Sequence, residues 1–175
     1  SAGLCPRPRW GRRRWAYRTW PKRVVDFSGA VLLLVVAFVP LLVIAALNKL
    51  LSGSPVLFAQ TRIGRYGRPF TLYKFRTMVP SGPAGGTVTI RGDARITPFG
   101  RWLRHWKLDE LPQLYNVLRG DMSLVGPRPD VPGYMDRLDG ESRRLLELRP
   151  GITGPASLRY RDEETLLAGQ ADPLR

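Results

Sequence analysis

Residues 27–47 form an unbroken apolar stretch in which Ser28 is the only hydroxyl-bearing side chain and no side chain is charged. As a helix it would extend roughly 30 Å, enough to cross the hydrocarbon core of a bilayer. Every helical face is apolar, which suits lipid better than the surface of a soluble core. The stretch is long for a cleaved signal peptide, and no small-x-small site follows it. A membrane segment is therefore expected. Its flanks qualify that expectation. Arg12, Arg13, Arg14, Arg18, Lys22 and Arg23 precede it, and Lys49, Arg62, Arg65 and Arg68 follow. Basic flanks prefer the cytoplasmic side, so both ends favour the same face. Pro40 lies inside the stretch, removes a helical hydrogen bond and predicts a kink near Val39. A helix that enters and leaves by one leaflet satisfies both features. A single-pass helix with a proline kink satisfies the second. Charge and proline do not choose between them. Asp26 opens the helix beside Lys22 and Arg23, where a carboxylate meets both the helix N-terminus and a cation.

The remaining charge is unevenly spread. The chain has 28 Lys and Arg against 14 Asp and Glu, a formal net charge of +14. Such a surface attracts anions: lipid headgroups, nucleic acid or a phosphorylated substrate. Residues 1–23 contain no acid, and between 49 and 107 the only one is Asp93. Cys5 is the only cysteine and His105 the only histidine, which excludes an internal disulfide, a cysteine-rich zinc site and a two-histidine metal site. Catalysis would fall mainly to carboxylates, Arg and Lys.

Residues 56–62 and 70–78 read as strands joined by Gly64-Arg65-Tyr66-Gly67, a hairpin. Residues 80–86 form a Pro/Gly-rich loop expected to be mobile. Thr97-Pro98 is a helix start, with Thr as the N-cap and Pro at the first helical position. Phe99, Leu103 and Trp106 follow at helical spacing among Arg101, Arg104 and Lys107. This is an amphipathic helix with either a solvated basic face or a surface lying on headgroups, with Trp102 and Trp106 at the interface. Pro112 disfavours the α region for Leu111, so a break is expected there. Asp109 would then cap a second helix that runs to about residue 119 and stops at Gly120. As a cap Asp109 is ordinary. Beside Glu110, with Arg104 five residues earlier, it also suits metal-assisted phosphoryl chemistry, because a helix N-terminus attracts phosphate. Two prolines stiffen Pro127-Arg128-Pro129 and pre-set a guanidinium for phosphate or a base. Arg149-Pro150-Gly151-Ile152-Thr153-Gly154-Pro155 is a second rigid loop.

Six segments in order, namely Lys22-Arg23-Val24-Val25-Asp26, residues 73–78, residues 93–97 with Gly100, residues 108–120, residues 121–129 and residues 150–154, resemble the bacterial sugar transferases, the monotopic polyprenyl-phosphate phosphoglycosyl transferases. The resemblance covers roughly residues 22–155. It implies an α+β fold: a basic tail at 1–21, a re-entrant membrane helix at 22–52, and a catalytic domain at 53–175. That domain would be small and mostly helical, with a β-hairpin and interfacial amphipathic helices. It also implies that the chain stops short at its C-terminus. The implied reaction moves a sugar-1-phosphate from a UDP-sugar to polyprenyl (undecaprenyl) phosphate and releases UMP, the first membrane step of glycoconjugate or exopolysaccharide assembly. Asp109 would be the nucleophile, forming a phosphosugar-aspartyl intermediate, with Glu110 assisting and both acids holding Mg²⁺. Arg104, Lys74, Arg76, Pro127, Arg128 and Pro129 would bind substrate. Lys22, Arg23, Asp26 and Pro40 would anchor the chain in the bacterial inner membrane, with the site on its cytoplasmic face. The implied partners are the UDP-sugar, polyprenyl phosphate and membrane lipids, and not nucleic acid; homodimerisation is left open. Where the family has Ser-Pro at the membrane break, this chain has Val39-Pro40. The alternative is a non-enzymatic basic membrane adaptor that binds anionic lipid or nucleic acid.

Overall fold

The computed structural model describes residues 19–79, 95–133 and 145–154. The basic tail up to residue 18, the Pro/Gly-rich loop at 80–86, Asp93 and everything beyond 154 lie outside the described residues. The elements in order are α1 (Thr19–Ser52), β1 (Leu57–Ile63), a 3₁₀ turn (Arg65–Gly67), β2 (Pro69–Phe75), α2 (Pro98–His105), a second 3₁₀ turn (Leu108–Glu110), α3 (Gln113–Arg119), β3 (Ser123–Val125) and β4 (Gly151–Thr153). The fold is α+β.

The long helix α1 is continuous through Pro40, the position at which a kink near Val39 is expected. A proline costs a helix one backbone donor and leaves the carbonyl four residues earlier unbonded, a cost that neighbouring structure can absorb. One stripe of α1 faces the rest of the protein at three- and four-residue spacing. Asp26, Ala30, Ile44 and Asn48 are buried, and Leu34, Ala37 and Leu41 half-buried. This stripe meets two cores. Ala30 joins Leu72, Leu114, Val117 and Met122. Ile44 joins Phe75 and Leu103. The other faces are open: Leu32, Val35, Val36, Phe38, Val39, Leu42 and Val43 are each at least 51% exposed. Full burial of such a side chain is worth about 1.5–3 kcal/mol. Leaving seven of them in water forfeits on the order of 10 kcal/mol, as much as a typical domain's whole stability. The helix is built for an apolar medium.

Strands β1 and β2 pair antiparallel, from Leu57 opposite Phe75 to Ile63 opposite Pro69. Their connection uses Tyr66 at φ 60 and Gly67 at φ 72, the left-handed residues a tight reversal needs. Met78, expected to extend the second strand, instead bridges to Ile96. Thr97 caps α2 as expected, its hydroxyl accepting from Gly100 N at 2.9 Å. A Cβ on Gly100 would lie 2.2 Å from Thr77 O, so only glycine lets the helix start approach the end of β2 this closely.

The segment after α2 departs from expectation. Asp109 caps nothing: it lies inside the 3₁₀ turn, and α3 starts at Gln113 after Pro112, without a side-chain cap. Leu111 is in the right-handed helical region (φ −53, ψ −37) despite the following proline. Leu111 packs against both cores, and that burial outweighs the local preference against helical backbone before proline. Successive i to i+3 bonds, Glu110 N to Lys107 O and Leu111 N to Leu108 O, both 3.3 Å, carry the chain across. Gly120 ends α3 at φ 94, as its place in the sequence suggested.

Candidate active site

The 3₁₀ turn carries Asp109 into the interior. Lys107 takes a left-handed conformation (φ 56), which ends the α2 segment and swings the next residues inward. Asp109 is 6% exposed, and its Oδ1 has no hydrogen-bond partner among the described residues. Its pKa is pushed up to about 6, first by burial and then by the neighbouring Glu110 charge, against the pull of Lys74, Arg104 and Lys107. On β2, burial pushes the Lys74 ammonium below its usual range, with Asp109 and Glu110 opposing that and Arg104 and Arg62 adding to it. Its Nζ stands 5.4 Å from the centre of the Phe58 ring. The structure thus brings Lys74, Arg104, Asp109 and Glu110 into one electrostatic neighbourhood, drawn from β2, the end of α2 and the turn after it.

A second basic group adjoins the first through Arg62. Its guanidinium donates to Pro129 O at 3.3 Å and to Gln60 Oε1 at 2.8 Å, while its buried Nε has no partner among the described residues. Burial and the Arg128 charge both work against its own charge. Arg62 therefore connects the Lys74 group to the Pro127-Arg128-Pro129 loop. Sequence reading counted it only as a flank cation. Its signal was a cation on the hairpin with no acid near it in sequence, a pattern shared with many surface residues. Arg128 is exposed and Pro129 buried, and Pro127 and Arg128 line a shallow pocket with Ile63, Gly64, Leu148 and Pro150. The loop is clamped from behind: β3 and β4 pair in parallel, Gly126 N donates to Thr153 O at 2.9 Å, and Gly151 N to Pro127 O at 2.8 Å. A Cβ on Gly126 would lie 2.3 Å from Arg149 O, so the two loops meet backbone to backbone.

The other expected site residues lie elsewhere. Arg76 is 8% exposed and donates to Met78 O at 2.9 Å and Ser54 O at 2.7 Å. Its own carbonyl accepts from Asn48 at 2.9 Å. Arg76 stitches the end of α1 to the end of β2 and is not among the charges acting on Asp109. Lys22, Arg23 and Asp26 turn towards the protein: Arg23 donates to Val117 O and Leu118 O at 2.5 and 2.8 Å, and Asp26 accepts from Leu124 N at 3.2 Å. Pro40 is on the exposed side of α1.

A carboxylate pair beside converging cations can hold a phosphoryl group and a metal. No group of three His, Cys, Asp or Glu forms a cage among the described residues. Mg²⁺ does not need one, because it commonly binds through one or two carboxylates with water and substrate phosphates completing its shell. The unpartnered Asp109 Oδ1 and adjacent Glu110 fit that role.

The family model of bacterial sugar transferases matches residues 17–172. This chain belongs to that family. Among curated relatives, the uncharacterized sugar transferase EpsL of Bacillus subtilis is 45% identical over 141 residues, 81% of this chain and 69% of the relative. A UDP-glucose:undecaprenyl-phosphate glucose-1-phosphate transferase of Caulobacter vibrioides is 49% identical over 144 residues, 79% of this chain and 53% of the relative. A protein of the same name in Escherichia coli is 41% identical over 145 residues, 78% of this chain and 30% of the relative. The chain thus spans from about a third to about two thirds of these relatives. As a bacterial sugar transferase, it links its carboxylate pair to its Pro-Arg-Pro loop through Lys74 and Arg62.

Proposed function

We propose that the chain transfers a sugar-1-phosphate from a UDP-sugar to undecaprenyl phosphate and releases UMP. The observation that carries this is Asp109: a buried carboxylate with an unpartnered oxygen beside Lys74 and Arg104, with Arg62 linking Lys74 to the Pro127-Arg128-Pro129 loop. The names of the Caulobacter and Escherichia relatives support the donor and acceptor.

In the first step an Asp109 oxygen attacks the β-phosphorus of the donor. The bond from that phosphorus to the bridging oxygen breaks, and UMP leaves with the electron pair. The product is a phosphosugar joined to Asp109 through an acyl-phosphate bond. In the second step an oxygen of undecaprenyl phosphate attacks the same phosphorus, the bond to Asp109 breaks, and the carboxylate is regenerated. Splitting one transfer between two anions into two displacements lowers each barrier. Burial aids the nucleophile: with a pKa of about 6, Asp109 is more basic than an ordinary carboxylate yet largely ionised at neutral pH. Lys74, Arg104 and Arg62 hold the two phosphates, and Arg128 approaches the nucleotide. Mg²⁺, held by Asp109 and Glu110, would supply charge neutralisation on the phosphates.

The acceptor is a lipid phosphate, so the site must work at headgroup level. The exposed apolar faces of α1 support this. The helix is fixed to one domain at both ends, through Asp26 on Leu124 N and Asn48 on Arg76 O. This supports a same-leaflet seat on the cytoplasmic face of the inner membrane over a crossing. The deciding experiment is UMP release across a panel of UDP-sugars with undecaprenyl phosphate and Mg²⁺. Asp109→Asn should abolish release while the protein still sediments with membranes. Turnover by that variant at the wild-type rate would refute the assignment. Salt-sensitive nucleic-acid binding without turnover would favour a basic adaptor.

A further inference from the structure

Between α1 and β3 lies a polar cluster that the chemistry above does not use. Asp26 is 4% exposed and Ser123 1%. The Ser123 hydroxyl donates to Asp26 Oδ2 at 2.8 Å, and Leu124 N donates to Oδ1 at 3.2 Å. Lys22 Nζ pairs with Asp26 Oδ2 at 3.1 Å, donates to Ser123 Oγ, and reaches Val125 O at 3.3 Å. A hydroxyl has one proton, and the carboxylate is its strongest acceptor here. The pattern is therefore directional: ammonium to hydroxyl, hydroxyl to carboxylate, with the next backbone N–H on the second oxygen. The partners are about a hundred residues apart in sequence.

Adhesion alone does not require such a cluster. Asp26 is desolvated while the Lys22 side chain is 36% exposed, so burial of the acid and solvent around the ammonium both weaken the pair, and an apolar pair of similar volume would hold α1 at least as well. What charged and hydrogen-bonded groups add is a defined geometry. That geometry is delivered to β3, which runs directly into Gly126-Pro127-Arg128-Pro129. Slack in between is small. Ser123 N is bonded to Pro150 O at 2.8 Å, Gly126 touches the backbone of Arg149 and Gly151, and two prolines flank Arg128. Pro129 O in turn accepts from Arg62, the cation that links this loop to the Asp109 neighbourhood. A displacement of β3 is thus passed to Arg128 and Arg62 instead of being absorbed on the way.

We propose that Asp26, Ser123 and Lys22 form a positioning cluster through which the membrane helix sets the geometry of the donor-binding loop. Donor affinity is then coupled to the seating of α1, and the coupling is reciprocal: donor binding stabilises the seated helix. The proposal rests on the reading that the Pro127-Arg128-Pro129 loop faces the donor nucleotide.

The test uses the full chain in vesicles, with Ser123→Ala and Asp26→Asn as variants and the UDP-sugar that wild type turns over fastest. UDP serves as the binding probe. The KM for the UDP-sugar and the Kd for UDP should rise on the order of tenfold in both variants, the scale expected of a misplaced binding group. The KM for undecaprenyl phosphate should stay within about twofold. A cluster that only holds the fold would lower the active fraction, so the maximal rate would drop with both KM values unchanged; that result overturns the proposal. Ser123→Ala removes a single hydroxyl and decides the matter if Asp26→Asn fails to accumulate. Wild-type turnover with unchanged donor KM in Ser123→Ala rejects the positioning cluster alone. A wild type that releases no UMP and binds no UDP rejects the functional reading, and the cluster's role with it.

Discussion

At the scale of residues, the proposed nucleophile Asp109 would trade stability for reactivity. Its pKa stands near 6 in the fold, against an ordinary 3.8. The sign follows from proton binding. A raised pKa means that the folded state holds the proton more tightly than the unfolded one between about pH 4 and 6. The neutral acid is tolerated, and stability falls as pH rises through that window because a charge must then be kept buried. Above about pH 6 the penalty is fully present. Two units correspond to roughly 3 kcal/mol at most. Asp109→Asn should therefore stabilise the metal-free protein at pH 7.5 by about 1–3 kcal/mol and change it little at pH 4. Chemical denaturation in EDTA at both pH values measures this, and a variant less stable than wild type at pH 7.5 contradicts it. The protonated acid is no nucleophile, so the first-turnover burst of UMP should fall at acid pH, with Mg²⁺ on the carboxylate pair holding the midpoint below the metal-free value. The charged members of the site were legible in the sequence as residue types near phosphate-binding motifs. Their grouping was not. Arg62 stood among flank cations, and Arg76 looked equal to Lys74. Two apart, Lys74 and Arg76 would share one face of an extended strand, but β2 ends at Phe75 and Arg76 turns away to Ser54 O and Met78 O, a strand end that no local pattern displays.

At the scale of elements, the turn at 108–110 and the paired loops at 126 and 151 do the positioning. Local signals read correctly where they were steric: the Thr97 cap, Gly120 at φ 94 and the hairpin reversal. They failed where burial outweighed local preference, as at Leu111, whose two cores hold it helical before proline. Parallel pairing of β3 with β4 was beyond reach, because it joins two three-residue strands distant in sequence. Their contact depends on the absence of side chains. Gly126→Ala would put a Cβ 2.3 Å from Arg149 O and 2.9 Å from Gly151 N, both backbone atoms. We expect a loss of about 2–4 kcal/mol in stability or a separated loop pair. Weakened UDP binding with α1 still membrane-bound would mark the second outcome. A Gly126→Ala variant with unchanged melting temperature and UDP affinity would contradict the close approach.

At the scale of the whole molecule, the placement of α1 decides how the proposed acceptor, a lipid phosphate, would reach Asp109. Composition alone allowed a crossing or a return to the same face. The structure adds the buried stripe from Asp26 through Ala30 and Ile44 to Asn48, all against one domain. From Asp26 to Asn48 these contacts run along about 33 Å of helix at 1.5 Å per residue. In a crossing, one end of that span would be carried beyond the far side of the hydrocarbon core, about 30 Å thick. The polar contacts of Asn48, with Arg76 O and Val56 O, would then have to be made across the bilayer or broken. A same-leaflet seat keeps both ends at headgroup level and leaves Val35, Val36 and Val39, 65–70% exposed, in the acyl chains. The test replaces Cys5 with serine and places one cysteine at Trp20 or Lys49, exposed positions outside the apolar stretch. In inside-out vesicles a membrane-impermeant maleimide should label both. In right-side-out vesicles it should label neither until the membrane is permeabilised. Labelling of one position from each side would establish a crossing, and the acceptor phosphate would then need another route to the carboxylate pair.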